Sequence, residues 1–181
     1  MDYTAEEMRK ILLNRIHEIY SIGEEIEKNK TVKTVIILIG IPASGKSTFC
    51  EQYFPEFVRI NLDTIKTRKK EQMLIESCFA DGKSFVVDNT NPTVADRQRY
   101  IIPAKEHGYL IQGHFMQSIV KDCVKRNKTR QGKAAVPATA IAAISNKLEL
   151  PHYDEGFDYL YYVQLKNDYF DISKWRDVDE V

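Results

Sequence analysis

A glycine-rich segment near residue 40 carries the residue types and spacing that bind phosphate. The backbone N–H groups and the lysine of the pattern G-x-x-x-x-G-K-[ST] cradle phosphate oxygens. We expect Lys46 to reach the outer phosphates of a nucleotide such as ATP, and Ser47 to hold Mg²⁺. With Thr48 after it, the segment reads Gly40-Ile41-Pro42-Ala43-Ser44-Gly45-Lys46-Ser47-Thr48.

The flanking sequence predicts the elements that this segment needs. Residues 34–39 are apolar and mostly β-branched, as in a buried parallel strand. Residues 47–53 can follow as a helix, and the positive end of its dipole adds to the attraction for phosphate. A glycine turn that matches the pattern by chance would not need this strand, so we favour a phosphate-binding loop.

Two aspartates follow two further predicted strands. Asp63 comes after residues 57–60, and Asp88 ends the apolar stretch 84–88. Ligands of open α/β sheets bind at the carboxyl ends of the strands. We expect Asp63 to accept the proton of an attacking hydroxyl and Asp88 to lie on the metal side of the site. Capping of the next helix is the alternative for Asp88.

Basic residues cluster in two segments. A helix predicted over 64–80 has Lys66 and Arg68 in its first half, where they either meet phosphates or form a solvated face. Residues 121–133 hold six basic residues against one aspartate. We predict a helix over 118–129 and a lid at about 126–137, with Arg126 and Arg130 on one helix face. A solvated helix end, favoured by the helix dipole, is the alternative.

The elements alternate between strand and helix along the chain. Five short strands with intervening helices predict an α/β fold with a doubly wound, parallel, five-stranded sheet. We assign residues 33–166 to this P-loop domain and residues 1–32 to an N-terminal helical extension. The tail, 167–181, receives no assignment. The strands are expected at 34–39, 57–60, 84–88, 109–116 and 158–165.

The N-terminal extension is predicted to be one amphipathic helix over residues 4–29. Thr4 and Glu7 form a capping box, and Gly23 is expected to weaken or break the helix. The apolar stripe packs either on the domain, which we favour, or on a second copy of the chain as a homo-oligomer. Its residues recur at steps of three and four: Met8, Ile11, Leu12, Ile16, Ile19, Ile22 and Ile26.

Composition narrows the class of protein. Lys plus Arg and Asp plus Glu each total 26, so any electrostatic attraction for nucleic acid must be local. No apolar run of membrane-spanning length appears, and the N-terminus lacks a secretion signal. The cysteines at 50, 78 and 123 lack metal-ligand spacing. We expect a reduced, cytoplasmic protein without a membrane partner.

Three functional classes of protein share this loop motif: GTPases, non-catalytic binding modules and phosphotransferases. A GTPase needs an Asn-Lys-x-Asp base reader, and the near match at 146–149 lies in a predicted helix, which excludes it. A non-catalytic binding module would not need Asp63 or paired arginines. A phosphotransferase uses all of them, because arginines neutralise charge on the transferred phosphoryl group.

Five segments together resemble the 5′-hydroxyl polynucleotide kinase domain of polynucleotide kinase–phosphatases. They are residues 40–48, 61–64, 87–97, 124–137 and 155–157, and the resemblance covers roughly residues 33–165. It implies transfer of the γ-phosphate of ATP to 5′-OH ends of DNA or RNA. It also implies that Asp63 is the general base and that Arg126 and Arg130 grip the ATP phosphates. Asp88 and Thr90 fall where the acceptor strand is held.

The chain departs from the family pattern on the acceptor side. Several members have an acceptor-binding arginine three residues after the catalytic aspartate, where this chain has Lys66, with Arg68 two residues further. Either residue is a candidate for the acceptor phosphate, although lysine is a point charge and lacks a bidentate fork. Leu62 stands where arginine is frequent. The Asp-x-Asp-Gly motif of the companion phosphatase is absent from this sequence. A small-molecule kinase on the same fold is the alternative function.

Overall fold

The computed structural model describes residues 4–130, 135–166 and 169–176. Its strands form one six-stranded sheet in the order β2-β3-β1-β4-β5-β6. The first five strands in that order are parallel, and β6 pairs antiparallel with β5. The strands are β1 Thr34–Ile39, β2 Val58–Ile60, β3 Phe85–Val87, β4 Leu110–Met116, β5 Tyr159–Lys166 and β6 Tyr169–Lys174.

Helices connect the strands and cover the sheet. A 3₁₀ turn, Tyr153–Glu155, precedes β5. The helices are α1 Ala5–Asn29, α2 Lys46–Tyr53, α3 Leu62–Ile65, α4 Arg68–Asp81, α5 Val94–Glu106, α6 Val120–Asn127 and α7 Ala138–Ser145.

Successive side chains of β1 point to opposite faces of the sheet and so contribute to two separate parts of the core. Val35 and Ile37 pack on one face with Ile75 of α4 and Ile101 of α5. Ile36 packs on the other face in the cluster that contains the buried side chains of α1 and α2. All six residues of β1 are buried, as the apolar run predicts for a central parallel strand. The α/β fold predicted from the sequence is therefore confirmed.

The sheet has one strand more than the five predicted. Residues 169–174, in the tail that received no assignment, form β6 and pair with β5 from Tyr161 to Lys166. Arg15 of α1 donates to Asp171 of β6 at 2.6 Å, which fixes the helix over this edge of the sheet. The pattern Tyr-Phe-Asp-Ile-Ser-Lys is too short and mixed to identify a strand without its partner.

Two helix predictions in the N-terminal half of the chain need correction. The helix expected over 64–80 is broken at Lys66, whose φ of 76° is not helical, so α3 ends there and Thr67 caps α4. Gly23 lies inside the uninterrupted α1. Pro103 lies inside α5, which continues past it to Glu106.

The capping box of Thr4 and Glu7 is present, but the apolar stripe of α1 is buried only in its C-terminal half. Ile22 and Ile26 pack in the core, whereas Met8 and Leu12 are exposed. Packing on the domain therefore accounts for two of the seven stripe residues, and pairing with a second copy stays a prediction. Among the described residues, no helix is long and apolar enough to cross a membrane.

Candidate active site

The glycine-rich loop joins β1 to α2 with the backbone conformation that the motif predicts. Gly40 has φ 150°, and a Cβ there would lie 3.0 Å from the hydroxyl oxygens of both Ser44 and Ser118. Gly45 has φ 105° and is the N-cap of α2. Both positions favour glycine, because other residues rarely adopt such positive φ angles. The loop therefore directs the N-terminus of α2 toward the cavity at the end of β1.

Lys46 folds back onto its own loop. Its Nζ donates to the carbonyl oxygens of Gly40 at 2.9 Å and Ile41 at 2.8 Å. Burial lowers the pKa of Lys46 to about 8, although the nearby Asp88 carboxylate opposes this shift. A phosphate group would compete with the two carbonyls for the ammonium and would restore its positive charge.

Asp88 is the most heavily bonded acid of the site and is only 3% exposed. Its Oδ2 accepts from Ser47 Oγ at 3.0 Å and from Arg59 Nε at 2.9 Å. Its backbone carbonyl accepts from Asn61 Nδ2 at 2.8 Å. Asp88 thus joins the phosphate-binding loop to the ends of β2 and β3, and the metal-side position predicted for it lies beside Ser47.

Arg59 was missed in the sequence analysis. It lies in β2 and also donates to Glu51 of α2 at 2.7 Å. The signal available in the sequence is a charged residue between Val58 and Ile60, in a strand otherwise expected to be apolar. That signal indicates a special position but does not name Asp88 as the partner.

Asp63 lines the same cavity as the loop and lies on the one-turn helix α3. The N-cap Asn61 accepts from Thr64 N–H at 3.2 Å, and Leu62 N–H donates to Asn89 Oδ1 at 2.9 Å. These contacts place Asp63 on the wall of a cavity of about 730 Å³. The same cavity is lined by Lys46, Ser47, Asp88, Thr90 and Arg130.

The two candidate acceptor cations differ in their present contacts. Lys66 is exposed, and its ammonium donates to the backbone carbonyl of Asp63. Arg68 lines the cavity, but its guanidinium donates to Glu71 at 2.7 Å and to the hydroxyl of Tyr100 at 2.9 Å. Arg68 is thus engaged with neighbouring side chains, whereas the contact of Lys66 is with its own helix turn.

Thr90 connects the two sides through its backbone. Its carbonyl accepts from Gly40 N–H at 3.0 Å, which fixes the segment after β3 against the phosphate-binding loop. Thr90 lies in the cavity wall, and its predicted role in holding the acceptor strand stays a prediction.

Arg126 and Arg130 approach the site from different elements. Arg126, on α6, donates through Nε to the carbonyl of Ala43 at 2.8 Å. The predicted helix over 118–129 ends earlier, at Asn127, so Arg130 lies beyond it and not on the same helical face. Arg130 nevertheless lines the cavity, and its charge adds to the effect of burial in lowering the pKa of Lys46.

The base of the predicted lid is closed by one amide. Asn127 donates to the carbonyl of Val136 at 2.6 Å and accepts from its N–H at 3.0 Å. Residues 131–134 of the predicted lid, including Gly132 and Lys133, lie outside the described residues. The contacts of Asn127 hold the two flanks of that segment together beside α7.

Fold and loop geometry define the protein as a P-loop nucleotide-binding domain. The sequence profile described as "AAA domain" matches residues 35–151, and the chain belongs to that family.

Curated relatives support the narrower resemblance to polynucleotide kinases. The chain is 35% identical over 176 residues to the "Putative bifunctional polynucleotide phosphatase/kinase" of Acanthamoeba polyphaga mimivirus, covering 86% of this chain and 41% of that protein. It is 30% identical over 135 residues to the "Bifunctional polynucleotide phosphatase/kinase" of Schizosaccharomyces pombe, covering 72% and 33%. The chain thus spans less than half of the length of these relatives. The resemblance stated from the sequence is confirmed.

Solved structures share the fold. The structure of the Pnkp1/Rnl/Hen1 RNA repair complex superimposes with a TM-score of 0.55 at 24% identity, covering 65% of this chain and 44% of the other. A gluconokinase from Sinorhizobium meliloti 1021 gives a TM-score of 0.53 at 15% identity, covering 75% and 85%. Both likenesses show the fold alone.

Proposed function

We propose that this domain transfers the γ-phosphoryl group of ATP to the 5′-hydroxyl end of DNA or RNA, in nucleic-acid repair. The observation that carries the proposal is the position of Asp63. This carboxylate lines the same cavity as Lys46 and Ser47, although it comes from a different strand end. A cavity lined by both a phosphate-binding loop and a carboxylate suits transfer to a hydroxyl group.

In this proposal the donor nucleotide lies on the loop formed by residues 40–48. Lys46 leaves the carbonyls of its own loop and binds the outer phosphates. Ser47 and Asp88 fit a magnesium site, because they place a hydroxyl and a buried carboxylate 3.0 Å apart. Mg²⁺ usually takes one or two carboxylates and keeps water and phosphate as its other ligands. When bound, it would neutralise charge on the phosphates.

The acceptor approaches from the side of Asp63. Its 5′-hydroxyl oxygen forms the new bond to the γ-phosphorus, while the bond from that phosphorus to the bridging oxygen of ADP breaks. The hydroxyl proton passes to a carboxylate oxygen of Asp63. Arg126 and Arg130 hold guanidinium groups near the phosphates, where they oppose the charge of the transferred group.

Local charge supports a polyanionic acceptor. Lys66 and Arg68 follow Asp63 closely along the chain, and Lys69 and Lys70 continue the basic segment on exposed positions of α4. A nucleic-acid end carries its first phosphates beside the reacting hydroxyl, whereas a free sugar has none. The small-molecule kinase is retained as the second candidate, because the gluconokinase shares the fold.

A panel of acceptors tests the proposal. The protein is incubated with γ-labelled ATP, Mg²⁺ and, separately, 5′-OH DNA, 5′-OH RNA, nucleosides and gluconate, with the Asp63→Asn variant as the blank. We expect label on at least one oligonucleotide and none on the small molecules. Transfer to a nucleoside or sugar, with none to either oligonucleotide, would replace the proposal with the small-molecule kinase.

A further inference from the structure

A buried carboxylate lies behind the acceptor side of the cavity and has no part in the proposed reaction. Glu71, on α4, is 4% exposed. Its Oε1 accepts from Asn89 Nδ2 and from the hydroxyl of Tyr100, both at 2.9 Å. Its Oε2 accepts from Arg68 Nη1 at 2.7 Å. Glu71 therefore brings together three donors from α4, α5 and the segment after β3.

The carboxylate of Glu71 determines which way the Asn89 amide faces. A carboxylate only accepts hydrogen bonds, so Asn89 must turn its NH₂ group toward Glu71. The amide oxygen of Asn89 then faces the opposite way, where it accepts from Leu62 N–H at 2.9 Å. With the amide reversed, an NH₂ group would meet an N–H group, and neither could accept.

Leu62 is the first residue of α3, and Asp63 is the second. A single turn of helix is not stable alone, because its few backbone bonds do not offset the cost of nucleation. The turn is therefore held by hydrogen bonds to residues outside it. Asn61 Nδ2 donates to the backbone carbonyl of Asp88, and Leu62 N–H donates to Asn89 Oδ1. Asp63 is exposed, so the backbone of this turn sets the direction of its carboxylate.

We propose that Glu71 is a positioning residue for Asp63. Glu71 orients the Asn89 amide, the amide oxygen holds Leu62 N–H, and the fixed first turn of α3 points the Asp63 carboxylate into the cavity. The inference rests on the proposed function, in which Asp63 accepts the proton of the acceptor hydroxyl. A residue of α4 that touches neither substrate thereby controls part of the geometry of that step.

Exchanging the hydrogen-bond donor and acceptor between positions 71 and 89 tests the proposal. In Glu71→Gln, either the glutamine NH₂ meets the Asn89 NH₂, or it meets the Arg68 guanidinium, so the pair loses its fixed orientation. In Asn89→Asp, two carboxylates face each other. In the double variant, the glutamine NH₂ donates to the new carboxylate at position 89, whose second oxygen again accepts from Leu62 N–H. We expect kcat for 5′-OH transfer to fall roughly 10- to 100-fold in each single variant and to recover in the double variant.

Three controls separate positioning from general stability. Glu76→Gln, an exposed position on the same helix where the carboxylate accepts from Gln72, should leave kcat unchanged. The KM for ATP should stay constant in all variants, because the phosphate-binding loop is untouched. In an Asp63→Asn background, Glu71→Gln should add little to the loss, because both changes act through the same carboxylate. A fall in kcat that follows the folded fraction, without recovery in the double variant, would overturn the proposal.

Amide hydrogen exchange gives a readout that does not depend on activity. Exchange at Leu62 should accelerate about fivefold in Glu71→Gln, since one hydrogen bond of ordinary strength is lost, and should return to the wild-type rate in the double variant. Unchanged exchange at Leu62 would overturn the positioning role. If Asp63→Asn retains full activity while exchange responds as expected, the role of Asp63 fails and the network stands.

Discussion

The two sides of the cavity that we propose as the active site are built differently. On the donor side, Ser44, Lys46 and Asp88 are all less than a tenth exposed. Ser44 lies in the loop after β1, Lys46 begins α2, and Asp88 follows β3 directly. On the acceptor side, Asp63 and Lys66 are exposed; Asp63 lies in the one-turn helix α3, and Lys66 is the residue that ends it. The sheet itself fixes the donor side, whereas side-chain contacts from α4 and α5 fix the acceptor side.

This difference fits the two substrates of the proposed reaction. A nucleotide triphosphate is small and always presents the same groups, so a buried and rigid cradle suits it. The end of a polymer must enter from solvent and leave again, so its side of the cavity has to be open. The geometry of the open side depends on a few hydrogen bonds. It is therefore more sensitive than the donor side to mutation of the residues that support it from α4 and α5.

Asp63→Asn is expected to show the largest difference between the two sides, because it should lower kcat and leave ATP binding unchanged. The change keeps the size of the side chain and removes its basic oxygen, and loss of a general base lowers kcat by roughly 10²–10⁴-fold. The dissociation constant for ATP should not change, since the donor side is intact. Kinetics and ATP calorimetry on this variant and on Asp81→Asn, an exposed control on α4, check both statements. Near-normal turnover would show that Asp63 is not the base.

Substitution of Arg126 and Arg130, the two arginines of the donor side, tests whether they contribute equally to kcat and to stability. Alanine at either position should lower kcat by roughly 10²–10³-fold, as for loss of one transition-state donor, and lysine should restore little because it lacks the planar fork. Stability should differ between them. Arg126→Ala loses the bond to the carbonyl of Ala43 and should cost about 1 kcal/mol, whereas Arg130→Ala should cost less than about 0.5 kcal/mol.

Denaturation midpoints measured beside kcat decide the point. Activity that falls only in proportion to the folded fraction would make both arginines structural residues and would remove them from the catalytic account.

Lys66→Gly should move stability and activity in opposite directions. Lys66 has φ 76°, which disfavours residues with a side chain, so glycine should stabilise the fold by up to about 1 kcal/mol. The same change removes a cation beside Asp63 and should raise KM for a 5′-OH oligonucleotide. Lys66→Ala is the matched control, since it removes the charge and keeps the strain. Equal stability of the two variants would contradict the strain, and an unchanged KM in both would leave Arg68 as the acceptor contact.

The smallest expected effect is the uptake of a proton by Lys46 when ATP binds. The pKa of Lys46 is lowered to about 8, so near pH 8 about half of the free protein carries a neutral amine. Phosphate anions raise that pKa toward its ordinary value, and binding of ATP should then take up about half a proton at pH 8 and almost none at about pH 6.5. Calorimetry in buffers of different ionisation enthalpy measures the uptake. Lys46→Arg should abolish it, because arginine stays charged.

The sequence was sufficient to predict the phosphate-binding loop. It is one continuous segment after an apolar strand, and the physical demands on that segment, glycine at positive φ and a lysine at the first helical position, are local. The five parallel strands were predicted for the same reason, since each is a short apolar run. Asp63 and Asp88 could be placed because the carboxyl ends of parallel strands meet at one edge.

The acceptor side could not be predicted in the same way. Its supports join residues that are far apart along the chain: Asn89 with Leu62, Tyr100 with Glu71, and Asn89 with Glu71. None of these pairs leaves a periodic or motif-like signal. The break between α3 and α4 depends on the unusual backbone of Lys66, and β6 depends on β5 as its partner, so both were missed.

The most direct test of the central claim uses two oligonucleotides that differ by one atom. One carries a 5′-terminal hydroxyl, and the other carries hydrogen in its place, so that every other hydroxyl and phosphate is the same. With γ-labelled ATP and Mg²⁺, we predict a product labelled at the 5′ end from the first oligonucleotide and no labelled product from the second. Equal labelling of the two, or labelling of neither, would contradict a 5′-hydroxyl kinase.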